Sequence, residues 1–240
     1  MSKLPKVSKP ALFIDTSKIG EPGYLEIAAA TYKYFSATGA KAEFVFERNE
    51  QAAKDLKNLA GSSTKLQSEI AEKKFMLKIK KGGAEVGNVQ WQQDQNYLNV
   101  YISVENGTLS ARDLEFQTTG ADYDLGVLFT TKELSSLGEI YKKNEDYFKK
   151  LTLFSIGSEL NVPAEMRTDS SNNPSLSTLA EQALAAMDYD SITEQTAQLL
   201  YNGLIRQTKG LTSQIKSGEI FMNLKRLVDK GAKPEMATTE

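Results

Sequence analysis

Three short polar stretches carry the chemistry this chain has to offer, and each follows an apolar run. Asp15-Thr16-Ser17 follows residues 11–14, Thr130-Thr131 follows residues 125–129, and Gly157-Ser158-Glu159 follows residues 151–156. A fourth stretch, Arg206-Gln207-Thr208, ends an amphipathic run. Their groups are carboxylates, hydroxyls, one amide and one guanidinium. The 240 residues include no histidine and no cysteine. Imidazole bases, thiol nucleophiles, disulfides and the usual zinc ligand sets are therefore excluded. A two-metal phosphoesterase centre places several carboxylates and imidazoles around ions about 4 Å apart, and Asp15 and Glu159 alone cannot build that cage. Two readings stay open: ordinary turn residues at strand ends, or a residual ligand pocket.

The elements that must position these groups alternate between strand and helix. Residues 11–15 read as a buried strand. Gly20, Pro22 and Gly23 mark a loop, and Leu25, Ala28, Ala29, Tyr32 and Phe35 recur at helical spacing up to Gly39. Residues 43–47 alternate as a strand, and Asn49 caps a helix over 50–60. Residues 125–129 and 151–156 are further strands. The pattern predicts a helix over 132–149 capped by Thr130 or Thr131, a helix over 175–187, one from Ser191 to about Thr208, and a last one over 217–230. Strands alternating with helices imply a mainly parallel, Rossmann-like sheet sandwiched by helices. In such sheets ligands bind at the carboxyl ends of the strands, where the three polar stretches fall. Asp122 and Asp124 precede their strand and belong to the opposite end.

The middle of the chain differs. Phe75, Leu77 and Ile79 alternate with Met76, Lys78 and Lys80. Gly82-Gly83 and Asn106-Gly107 are turn signals, and Trp91, Tyr97 and Tyr101 lie between them. Residues 73–118 thus form an antiparallel β insertion within an α/β domain over 11–231. Its aromatics fit β faces better than a base-stacking platform, because no basic excess surrounds them. The cluster Lys73, Lys74, Lys78, Lys80 and Lys81 reads as a solvated strand face that protects an edge. Gly20-Glu21-Pro22-Gly23 lacks both the lysine of a P-loop and the spaced glycines of a dinucleotide site. With 29 basic and 31 acidic residues, nothing draws the whole chain to nucleic acid or to an anionic membrane. Residues 1–10 form a short basic arm and 232–240 a frayed tail. No run reaches the length of a signal peptide or a membrane span, which implies a cytoplasmic protein.

The order of elements resembles the DHH-family phosphoesterases, a group that includes oligoribonuclease and phosphoadenosine-phosphate phosphatase enzymes. DYDLGVLFTTKELSSLGEIYKKNEDYF (122–148) is similar to the family's strand, catalytic aspartate and helix. KLTLFSIGSELN (150–161) is similar to the strand that ends in Asp-His-His. PSLSTLAEQAL (174–184), TAQLLYNGLIRQTKGLTS (196–213) and NLKRLVDKGAKPE (223–235) resemble the helices that follow. The resemblance implies a manganese centre. Its ligand positions fall near Gly23 to Glu26, with Glu26 the acidic residue there, on Thr130, on Gly157, Ser158 and Glu159, and on Gln207 beside a retained Thr208. Most ligands are thus replaced, and neutral oxygens cannot balance two divalent charges. The family also continues into a smaller substrate-binding domain beyond the point where this chain ends.

A non-catalytic, DHH-like protein is the expectation, acting as a binding or regulatory subunit beside a protein partner or a second copy, with no metal cofactor. A remnant pocket of Asp15, Thr16, Glu26, Thr130, Thr131, Ser158, Glu159, Gln207 and Thr208 would serve a nucleotide or oligonucleotide sensor. A weak single-magnesium phosphoesterase would need Asp15, Glu26 and Glu159 to converge. A partner-binding role predicts an exposed apolar patch near Trp91 or on the last helix.

Overall fold

The computed structural model describes residues 7–71, 74–80, 82–131, 133–157, 166–167, 175–213, 215 and 218–234. It divides into two units, Met1–Ile70 with Asp122–Glu240, and Ala71–Ala121.

The first unit is built on a parallel sheet of β1 (Pro10–Phe13), β2 (Glu43–Val45), β3 (Leu66–Gln67), β8 (Leu125–Phe129), β9 (Leu153–Ile156) and β10 (Met166–Arg167). Its strand order is β10-β9-β8-β1-β2-β3. The chain leaves β1 toward β2 and later returns to β1's other side with β8, so the switch point of the sheet lies between β1 and β8. Side chains alternate across the sheet. Leu12, Ile14, Val127, Phe129, Phe154 and Ile156 join a core with α1 (Tyr24–Ala37), α2 (Glu50–Ala60), α5 (Leu176–Asp188) and α6 (Glu194–Gln207). Phe13 points to the other face, where its ring lies 4.8 Å from that of Phe148 in α4 (Glu145–Phe148). A last helix, α7 (Glu219–Asp229), packs on α5 and α6.

Local chemistry sets several ends as expected. Asn49 accepts from the Ala52 N–H at 2.9 Å and caps α2, and Ser175 accepts from the Thr178 N–H at 3.1 Å and caps α5. At the amino edge of the sheet, the Asp124 carboxylate takes the N–H groups of Ser8 and Lys9 at 2.6 and 3.0 Å, which fastens β1 beside β8.

Two expected helices are corrected. The run after Thr131 is no single helix. It breaks into a 3-10 turn over Leu134–Leu137, then α3 (Glu139–Lys142), then α4. Gly138 causes the break: its φ of 62° is outside the helical region, and the Glu47 carboxylate caps the Glu139 N–H at 2.6 Å. Neither Thr130 nor Thr131 is a cap. The cap of α6 is Thr193, not Ser191, which sits in a turn closed by the Asp188 side chain. Ser217 lies outside the described residues. No described helix is long and apolar enough to cross a membrane.

The second unit is antiparallel. β4 (Lys74–Ile79) pairs with β7 (Leu114–Thr119), and β5 (Glu85–Gln93) pairs with β6 (Leu98–Asn106). Gly82-Gly83 and Asn106-Gly107 are therefore not hairpin turns. The hairpin turn is at Asp94, whose carboxylate takes the N–H groups of Asn96 and Tyr97 at 2.8 and 2.7 Å. The pairs are nested. Lys80 donates its N–H to the Asp113 carbonyl at 2.8 Å, and Gly107 lies so close to Gly83 that a Cβ there would meet the Gly83 oxygen at 2.6 Å. Ala121 donates to the Ala71 carbonyl at 2.8 Å and closes the base. The result is a ribbon of two successive strand pairs, each a separate two-stranded sheet.

Candidate functional site

The switch point brings the first two polar stretches together. Phe13 stands opposite Leu128, and Phe129 opposite Ile156, so Asp15, Thr130 and Gly157 follow at one level of the sheet. Thr130 donates its N–H to the Ile156 carbonyl at 2.8 Å and has a φ of 49°. Its hydroxyl is buried without a hydrogen-bond partner in the structure. Thr131 is fully buried and donates to the Phe129 carbonyl at 3.3 Å. Asp15 is buried, and its Oδ1 accepts from both the N–H and the hydroxyl of Ser17, at 3.0 and 2.6 Å. This carboxylate caps a 3-10 turn that contains the half-buried Thr16. The Tyr24 hydroxyl accepts the Asp15 N–H at 3.0 Å, and burial holds that phenol well above the usual tyrosine range, so it stays protonated.

Gly157 ends β9 against Thr130. A Cβ at Gly157 would lie 2.8 Å from the Thr130 Cα and 2.9 Å from its N, and the φ is 147°. No side chain fits there without moving backbone. Ser158 and Glu159 lie outside the described residues.

The two residues at the end of α6 work locally. Gln207 Oε1 accepts the Ser177 N–H at 3.1 Å, a second cap on α5. The buried Thr208 hydroxyl donates to the Leu204 carbonyl at 2.8 Å and accepts the Leu211 N–H at 3.1 Å. Glu26 is placed apart from the strand-end group. It is 6% exposed and pairs with Arg206 at 3.0 Å.

That pair lines a cleft of about 680 Å³ with Ile19, Glu21, Gly23, Asp55 and Asn58. Of the residues singled out in the sequence as a remnant pocket, Glu26 is the one on this wall. Asp55 and Asn58 give no signal of their own in the sequence, because each reads as an ordinary polar position on the outer face of α2. Arg206 does stand out, at the start of the fourth polar stretch.

Among the described residues, the donors do not fit a two-metal centre. Asp15 is taken by Ser17, Glu26 by Arg206 and Gln207 by Ser177, while Thr130 offers a neutral oxygen and Gly157 none. Among the described residues no group of three or more acidic side chains could hold an ion.

An exopolyphosphatase-related protein from Bacteroides fragilis has a similar structure, with a TM-score of 0.53 at 11% sequence identity. The match covers 94% of this chain and 53% of that one, so this chain spans about half the length of its structural neighbour. The likeness supports the mixed α/β fold, a parallel sheet flanked by helices. At this identity it speaks for the fold alone. No protein-family model matches the sequence, and no curated protein matches it. The first unit therefore carries the α/β sheet expected from the sequence, and the antiparallel strands fall between β3 and β8 in chain order.

Proposed function

We propose that this DHH-like chain acts by binding and not by hydrolysis, as a binding or regulatory subunit. The observation that carries this reading is Gly157 packed on Thr130. The resemblance calls for an aspartate ligand at 157, yet a Cβ there would sit 2.8 Å from the backbone of Thr130. Loss of the metal ligand is thus written into the backbone and is more than the change of one side chain. Purified protein supplied with manganese and offered short oligoribonucleotides and cyclic dinucleotides should show no turnover above background. Turnover that Glu159→Ala abolishes would overturn the reading.

The charge of the cleft weighs on its occupant. Glu21, Glu26 and Asp55 outnumber the basic groups at this wall, which are Arg206, already paired with Glu26, and Lys18, which pairs with Glu21 at 3.7 Å. Without a bound cation, such a wall repels phosphates. Calorimetry against a panel of mononucleotides and dinucleotides at millimolar concentration should detect no binding heat. A saturable isotherm lost in Arg206→Ala would instead establish the nucleotide-sensor reading.

A further inference from the structure

The ribbon exposes an apolar face that its own unit leaves uncovered. In the β5–β6 pair, Val89 is opposite Ile102, Trp91 opposite Val100 and Gln93 opposite Leu98. Opposite residues share a face, so these six form one side, while Gln90, Tyr101, Gln92 and Asn99 form the other. Trp91 is 71% exposed, Leu98 62%, Val89 54% and Val100 45%. The β4–β7 pair repeats the pattern. Leu77 is opposite Phe116 and Ile79 opposite Leu114, and the exposed rings of Phe75 and Phe116 stack at 5.6 Å. A two-stranded ribbon is at best marginally stable alone in water, and strands with strict apolar alternation are built to cover one side.

We propose that this face is covered by the same face of a second copy of the chain. Area and charge together select this occupant. A covered aromatic ring accounts for roughly 150–250 Å², so Trp91 with Val89, Leu98 and Val100 supplies about half of the ~800 Å² per partner of a standard interface, a contact suited to a micromolar dimer. The ribbon is also polar along its length. Residues 84–111 contain Glu85, Asp94 and Glu105 and no basic residue, whereas the described residues of the β4–β7 half contain Lys74, Lys78, Lys80 and Arg112 against Asp113 and Glu115. Two ribbons stacked antiparallel place each acidic half by the other's net basic half. A parallel stack would set acid on acid. Both stacks are two-fold, and charge favours the antiparallel one. This inference goes beyond the binding role proposed above and stands without it.

The chain's single tryptophan reports on the contact. Sedimentation velocity of the full chain across micromolar concentrations should show a monomer–dimer equilibrium, and acrylamide quenching of Trp91 should fall as the dimer forms. Val100→Lys places a charge opposite Trp91 and should raise the dissociation constant about 30-fold or more. Gln92→Lys, on the polar face, should leave it unchanged. Far-UV melts of both variants confirm that the α/β unit stays folded, and the unsubstituted protein decides the matter even if a variant does not. A monomer at every concentration overturns the proposal, including a monomer whose ribbon is covered by some other molecule. So does a dimer in which Trp91 quenches as freely as in the monomer, or one that Val100→Lys leaves equally tight.

Discussion

Gly23→Ala should destabilise the α/β unit by about 3 kcal/mol and lower its melting temperature by roughly 6–12 °C. Gly23 precedes the first turn of α1 with a φ of 78°, a left-handed conformation that costs an L-residue about 1–2 kcal/mol. Steric contact costs more. A Cβ at this position would lie 2.5 Å from the Gly203 carbonyl oxygen and 3.0 Å from the Gly203 Cα, both backbone atoms of α6. Flexible side chains can swing aside, but a helix backbone cannot do so without moving the helix. Gly203 answers from the other side, since a Cβ there would meet Ile27 Cγ1 at 3.1 Å. The two glycines let α1 and α6 approach closely, and that approach supports the wall carrying Glu26 and Arg206. Gly20→Ala is the control. It has nothing within 4 Å of its would-be Cβ and should change stability by no more than about 0.5 kcal/mol. Thermal and urea unfolding measure both, and equal losses in the two variants would contradict the steric explanation.

Arg226→Ala should cost a similar amount, about 3 kcal/mol, by a different route. Glu181 of α5 is 1% exposed. Its carboxylate takes Arg226 Nε at 2.9 Å, Arg226 Nη2 at 2.7 Å and Asn223 Nδ2 at 3.0 Å. The carboxylate correspondingly holds the guanidinium above its ordinary range, chiefly through their hydrogen bonds and further through Coulomb attraction, against the opposing effect of burial. Removing the arginine leaves a buried charge with one amide donor. Removing both charges is different, because a well-packed apolar pair of similar volume carries no desolvation penalty. Glu181→Met with Arg226→Met should therefore recover part of the loss, the remainder being the cost of the buried Asn223 amide left without its acceptor. Urea midpoints of the single and double variants decide it. A double variant less stable than Arg226→Ala would refute the expectation.

How far the sequence carried depends on the range of the interaction. Asn49 and Ser175 cap helices through side chains that reach two or three residues along the chain, and such signals read directly. The alternation of strand and helix pointed to the parallel sheet and to the strand ends that carry Asp15 and Thr130, whereas their meeting at the switch point depends on the strand order. The failures involve distant partners. Glu47 stops a helix at Gly138 from far along the chain. The glycine pairs in the middle looked like hairpin turns, whereas β4 finds its partner in β7 and the one hairpin turn rests on Asp94. In the candidate site, the absence of histidine was plain from composition. The engagement of Asp15 by Ser17, of Gln207 by Ser177 and of Glu26 by Arg206 was not, because only folded geometry shows whether a side chain is free to hold a ligand.

The hydrogen bond that joins Ala71 to Ala121 has a kinetic consequence. Asp124 must find Ser8 across a sequence separation of 116, a search that would ordinarily slow folding. A hairpin closes most readily from its turn outward, so pairing that starts at Asp94 closes only a short loop at each step. Once zipped, the ribbon delivers residues 70 and 122 as near neighbours. The sheet then closes as though the intervening residues were a short connection, since loop entropy depends on the slack chain that remains. The segment that lengthens the chain most is thus the one that shortens the path from β3 to β8.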